Sequence, residues 1–307
     1  MSLETDLLLD RRRLKRRLFA WRVVAVVAAV IAVLVAIGGN GLPVRGSHLA
    51  RLSVTGIITE NRKLTEAVAA LAEDASVPAL IVFINSPGGS VAGGESLHDA
   101  IALVAAKKPV VAVMGGTAAS AGYMIAMPAA RVFAREATLT GSIGVLLQTG
   151  EVSGLLGKIG VTAEAITSGP LKDQPSFVRP LSPEGRDVLH GLVMDMYDQF
   201  VGMVAAGRHM SVDKVRQLAD GRAYTGRQAL HLGLIDQIGG EPEARRWLEE
   251  QRHVSADLPV EDVGTGGFVE RTFGATVGGF LGAIEKTLLL QGVRVDGAWS
   301  LWQPGGR

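Results

Sequence analysis

Two short apolar runs, each leading into a cluster of very small residues, limit the folds open to this chain more than any other feature. Residues 78–85 read PALIVFIN and lead into SPGGS, while 109–114 read PVVAVM and lead into GGTAASAG. Runs of this length without polar alternation suit strands buried on both faces, which belong to parallel sheets covered by helices. The flanking stretches agree. Residues 51–59 read as an earlier strand, 61–75 as a helix, and 91–106 carry helical spacing. Further short strands are expected at 131–134, 142–147 and 161–166. A long helix is expected over 182–206, with Ser182 as its N-cap, Pro183 in its first turn and Glu184 adding favourable charge there. Shorter helices follow at 212–219 and 226–232. Alternation of this kind predicts an α/β domain with a largely parallel sheet, over residues 50–250.

The N-terminus differs. Residues 11–17 read RRRLKRR, and from 23 to 39 no charged or polar side chain interrupts the run. As a helix, residues 19–39 would extend roughly 30 Å, enough to cross a hydrocarbon core. Arg22 lies near one end and can snorkel. The positive-inside rule makes 1–18 a cytoplasmic basic segment, 19–39 a transmembrane anchor and 40–49 a linker on the outer side of a bacterial cytoplasmic membrane. A removed signal peptide is the alternative, since Ala36-Ile37-Gly38 is a small-x-small site. The 251–307 tail is Gly-rich from 264 and carries an apolar stretch at 280–290 before Trp299, Leu301 and Trp302. It packs on its own domain or a neighbour, or touches a membrane surface.

Composition removes several classes of function. The net charge is +1 with scattered bases beyond the N-terminus, so nothing suggests nucleic acid. There are no cysteines, which excludes disulfides, thiolate metal sites and a cysteine nucleophile. With 48% apolar and 20% charged residues, a substantial core can form.

The candidate chemistry sits at the ends of the two buried strands. Gly88 and Gly89 leave bare backbone N–H groups free to point into a cleft and hold an oxyanion, although a plain glycine turn reads the same way. Ser120, ringed by small residues between a strand and a helix, can present its hydroxyl at the carboxyl edge of the sheet. It could equally cap that helix. A serine nucleophile needs a base. None of the histidines at 48, 98, 190, 209, 231 and 253 sits in a glycine-rich loop at a strand end. Lys172 lies in SGPLKDQP, a turn-rich segment after an expected strand. A lysine can act as base only where its surroundings favour the neutral form; otherwise it is a solvated charge.

Taken together the segments resemble the signal peptide peptidase A family, short single-unit type. The matching residues are NSPGGSV (85–91), GGTAASAGYMIA (115–126), TGSIGV (140–145), SGPLKD (168–173) and AYTGRQALHLGLID (223–236). The resemblance covers roughly 50–245 and implies a ClpP/crotonase-like fold and a serine endopeptidase with a Ser-Lys dyad. It makes Ser120 the nucleophile, Lys172 the general base, Ser142 the hydroxyl that orients the lysine, and Gly88 and Gly89 the oxyanion hole. Ala121-Gly122 stands where the family often has two glycines. The resemblance also implies a homo-oligomer acting on signal-peptide remnants at the membrane, with no metal or organic cofactor. Two rival readings stay open: an inactive or scaffold-type membrane protein of the same fold, and a crotonase-type acyl-CoA enzyme, for which Glu95 is the nearest carboxylate.

Overall fold

The computed structural model describes residues 15–19, 21–28 and 46–264. Residues 15–19 and 21–28 are helical. Among the described residues no helix is long and apolar enough to cross a membrane. Most of the expected 19–39 span, of the basic segment and of the 251–307 tail lies outside the described residues, but 251–264 are described and belong to the domain, since Val260–Asp262 joins the sheet.

The two apolar runs do become adjacent buried strands. β1 (Leu49–Ile58), β2 (Leu80–Gly89) and β3 (Val110–Ala119) lie in parallel, with β2 in the middle. Alternate side chains fall on opposite faces. Leu80, Val82 and Ile84 enter one core with Val110, Ala112 and Met114. Ile81, Val111 and Val113 enter a second core behind the sheet. Neither face meets water, so a continuous apolar run is the pattern the position requires.

Helices cover both sides. α1 (Arg62–Ala70), α2 (Val91–Ala105), the one-turn α3 (Ala121–Met124) and α5 (Pro183–Arg208) contribute to the first core. α4 (Ser153–Lys158) lies apart from both cores and buries none of its residues. α6 (Val212–Leu218) and α7 (Gly226–Leu232) complete the first layer. α8 (Glu241–Arg252), which the sequence reading did not foresee, covers the second core through Ala244 and Leu248. Ser182 caps α5 as expected, accepting the Gly185 N–H at 3.0 Å, with Pro183 in its first turn.

The remaining strands are short. β4 (Arg131–Ala134) pairs with the first half of β3, and β5 (Leu139–Gly141) with its second half. β6 (Ala223–Thr225) runs antiparallel to β5; β7 (Gln237–Ile238) lies beside β4, and β8 (Val260–Asp262) beside β1. The path β6-β5-β3-β2-β1-β8 is parallel except for its first pairing. This is the expected α/β domain with a mostly parallel sheet.

Two expected strands are absent. Residues 142–147 leave the sheet after Gly141, because Ser142 at φ 49° turns the chain away. Residues 161–166 alternate like a strand but find no sheet edge, and Ile166 is 98% exposed.

Candidate active site

Both strands run further than their apolar portions suggest, carrying the glycine motifs into the sheet itself. β2 continues through SPGG to Gly89, and β3 continues through GGTAA to the residue before Ser120. Irregular register between Ile84 and Ser86 lets the motifs stay paired, with Ser86 opposite Ala118. The Asn85 side-chain oxygen accepts the Thr117 N–H at 3.2 Å. The two segments that sequence reading singled out separately therefore form one ledge at the carboxyl ends of β2 and β3.

Ser120 stands at the turn from β3 into α3 with φ 54° and ψ −125°. A non-glycine residue held there stores about 1–3 kcal/mol of strain, and such strain persists only where surrounding structure imposes it. Here the Ser120 N–H donates to Gly141 O at 2.9 Å, and the Ser120 carbonyl accepts the N–H groups of Tyr123 and Met124. The Ser120 side chain makes no cap hydrogen bond to the helix it precedes. That removes the plain capping reading and leaves the hydroxyl available.

Packing holds α3 close. A Cβ on Gly122 would come within 2.9 Å of Ser86 O, so alanine there would push the helix off the ledge. Tyr123 is fully buried; its hydroxyl donates to Leu234 O at 2.7 Å, and burial pushes its phenol pKa up. The 223–236 segment proves structural: Arg208 donates to both carboxylate oxygens of Asp236 at 2.9 and 2.7 Å, and to Gly233 O at 2.9 Å. Burial alone would raise the Asp236 carboxyl pKa, but the Arg208 guanidinium outweighs it and holds the group below its ordinary value.

A cavity of about 410 Å³ opens beside Ser120. Gly89, Ser142, Val91, Val145 and Leu146 are among its lining residues. None of the six histidines lines it. Ser142 donates its hydroxyl to Gly221 O at 3.2 Å. Three of the expected site residues, Ser120, Ser142 and Gly89, thus face one space. Gly88 lies against it from behind: a Cβ there would meet the Ser120 Cβ at 2.7 Å, and its N–H donates to Ser86 Oγ at 3.1 Å. Lys172 is not among the lining residues. It sits exposed in a turn, its N–H donating to Gly169 O, while the neighbouring Asp173 pairs with Arg179.

Two residues named in the sequence motifs, Ala121 and Ser86, carry no assigned role in the sequence reading. Ala121 opens α3, and first-turn amides have no carbonyl within their own helix to bond. A helix starting one residue after a candidate nucleophile was the available signal. Ser86 looks, within SPGGS, like one more small turn residue. Glu95 lies within α2 and is not among the cavity's lining residues. Among the described residues no three His, Asp or Glu side chains gather as a metal site would need.

The profile of Peptidase family S49 matches residues 102–255. The chain is also 44% identical over 200 residues to the Synechocystis sp. protein named "Putative protease slr0021", covering 65% of this chain and 72% of that one. The chain belongs to peptidase family S49. It is 36% identical over 229 residues to "Putative signal peptide peptidase SppA" of Enterococcus faecium, covering 69% of this chain and 66% of the relative. "Serine protease SPPA, chloroplastic" of Arabidopsis thaliana is 36% identical over 224 residues, covering 73% of this chain and 32% of that longer one. The chain is accordingly a serine peptidase of the signal peptide peptidase A group within S49. A solved ClpP1 mutant structure from Listeria monocytogenes overlays 62% of this chain and 91% of its own at TM-score 0.42 and 20% identity.

Proposed function

We propose that this S49 peptidase is a membrane-anchored endopeptidase that cleaves signal-peptide remnants and other small apolar peptides through a Ser120–Lys172 dyad. The observation that carries the reading is Ser120 itself: strained, free of any capping bond, and facing a cavity partly walled by Val91, Val145 and Leu146 at the start of a helix. Neutral Lys172 takes the Ser120 proton as Oγ attacks the scissile carbonyl, and the carbonyl π electrons move onto oxygen. The Gly89 and Ala121 amides hold that oxyanion; Gly88 shapes the wall behind them. Collapse expels the amine, which takes the proton from Lys172. Water, deprotonated by the same lysine, then releases the acyl group as a carboxylate and frees Ser120. Ser142 orients the lysine.

Lys172 reaches the cavity from a neighbouring copy of the chain. The segment carrying it leaves Leu146, Ile166 and Phe177 exposed by 81, 98 and 71%, more apolar surface than an isolated domain would keep in water. The anchor is residues 19–39 in a bacterial cytoplasmic membrane, with the catalytic domain outside. Support comes from RRRLKRR before an uncharged run, and from Phe19, Trp21 and Val26, exposed along the described helical residues.

A labelled fluorophosphonate tests the nucleophile. Wild-type protein is expected to take one label per chain on Ser120, and Ser120→Ala none; labelling elsewhere, or full peptidase activity in Ser120→Ala, sinks the reading. Lys172→Arg should be as inactive as Lys172→Ala, because arginine stays protonated. Carbonate washing should leave the full chain with membranes. A mature N-terminus near Gly38 would show a removed signal peptide instead.

A further inference from the structure

Ser86 is fully buried on β2, and its hydroxyl bonds to Gly88, two residues further along the same strand. Its oxygen accepts the Gly88 N–H at 3.1 Å, and its hydroxyl donates to Gly88 O at 3.3 Å. A hydroxyl has one donor and two acceptor sites, so both bonds can coexist.

These bonds bear on different peptide units. The Gly88 N–H belongs to the peptide between residues 87 and 88. Gly88 O belongs to the next one, whose N–H is that of Gly89. A trans peptide is planar, with its C=O and N–H pointing in opposite directions. Holding Gly88 O toward buried Ser86 therefore turns the Gly89 N–H away from Ser86. Gly89 lines the cavity beside Ser120. The other bond withdraws the Gly88 N–H from that cavity. Gly88 itself lies at φ 114°, a backbone region closed to most side chains, with no room for a Cβ against Ser120. This end of β2 is paired with β1, Ile57 opposite Gly88 and Ile58 opposite Gly89, and the buried hydroxyl adds a second hold on the same peptide from within the strand.

We infer that Ser86 is a positioning residue that sets the oxyanion hole, selecting the Gly89 amide as donor and removing that of Gly88. The inference rests on the proposed peptidase reading, with Ser120 as nucleophile. Ser86 touches no substrate and acts through the Gly88–Gly89 peptide.

The experiment compares Ser86→Ala and Ser86→Cys with wild type in the full chain, in detergent or membranes. Ser86→Ala should lower kcat about tenfold to a hundredfold, since a misdirected oxyanion donor weakens only the transition state, while KM changes less than about twofold. Affinity for a peptide aldehyde, which forms a tetrahedral adduct with the serine, should fall by a similar factor. Affinity for the cleaved product peptide should hold. Ser86→Cys, nearly isosteric with a weaker hydrogen-bonding group, should fall between the two. Melting temperature and oligomer size, measured on the same preparations, restrict the comparison to folded protein. Unchanged kcat in Ser86→Ala overturns the inference. So does a parallel loss of kcat, aldehyde affinity and product affinity, because a general structural defect predicts that pattern. Absence of wild-type labelling at Ser120 would instead sink the peptidase reading, whatever the Ser86 variants do.

Discussion

The ledge that carries Ser120 and the segment that carries Lys172 are built on opposite terms. Around Ser120 everything is pressed together: the close neighbours Ala119, Ala121, Tyr123 and Ser86 are buried, and glycines sit where a methyl would strike backbone. From 144 to 180 the chain forms one short helix, α4, with no buried residue. Leu146, Leu155, Ile159, Ile166 and Phe177 stand in water. A single copy can thus build a serine in a strained, defined geometry, because the sheet and its helices supply the constraints. It does not build the lysine's surroundings. In the proposed dyad this exposed segment would have to be covered from elsewhere. A neighbouring copy would provide that cover.

Mixing two dead proteins breaks or sharpens that contrast with the largest effect. Ser120→Ala and Lys172→Ala should each lose at least about a thousandfold in activity, and the double variant should be no worse, since residues acting as a unit are non-additive. If the dyad spans two copies, random co-assembly of equal amounts leaves about a quarter of the sites with both native residues in a symmetric ring. Activity should return to that level in particles whose mixed composition is confirmed by size and mass. Mixed particles with no activity would place the dyad within one chain and remove the contrast.

The next test addresses the framework behind the serine. Asp236→Ala would leave the Arg208 charge buried without its partner, at a cost of about 3–5 kcal/mol. The Asp236 carboxyl pKa is depressed in the folded protein, so its contribution is fully present above the unfolded value of about 4. It is lost as pH falls through the folded value. The stability gap between wild type and Asp236→Ala, followed by denaturant unfolding of a solubilised sample, should therefore narrow below about pH 4. A gap that stays constant down to pH 2 would contradict the assignment.

Two glycines give a smaller and opposed pair of effects. A Cβ on Gly89 would lie 1.8 Å from Ile58 O, whereas one on Gly157 meets nothing within 4 Å. Gly89→Ala should destabilise by about 3 kcal/mol or more, because two backbones must separate. Gly157→Ala, within α4, should stabilise by about 0.5–1 kcal/mol, as alanine favours a helix interior over glycine. Equal effects at both positions would mean that the crowded ledge and the open segment are not the separate environments described above.

Much was legible in the residues alone because its causes are local. Apolar runs without alternation identified β2 and β3; Ser182, Pro183 and Glu184 announced α5; small residues around Ser120 marked the turn that presents it. Each depends on neighbours within a few positions. The expected strand at 161–166 shows where such reading stops: its alternation is genuine, but a strand exists only if a sheet edge is there to pair with it. The covering of the second sheet face by α8 was hidden for the same reason.

Within the site the division is finer. NSPGGS by itself determined that backbone would come close to the serine, since only glycine leaves that room. It did not determine which amide would face the cavity. Tertiary structure orients that backbone, through the pairing of Gly88 and Gly89 with Ile57 and Ile58 on β1 and the bonds of buried Ser86 to Gly88. Likewise the chain places a lysine in SGPLKD, yet what covers that exposed side chain is not written in its neighbours. Side-chain identity is written in sequence; the direction of a peptide plane and the solvation of a charge arise only when distant segments meet.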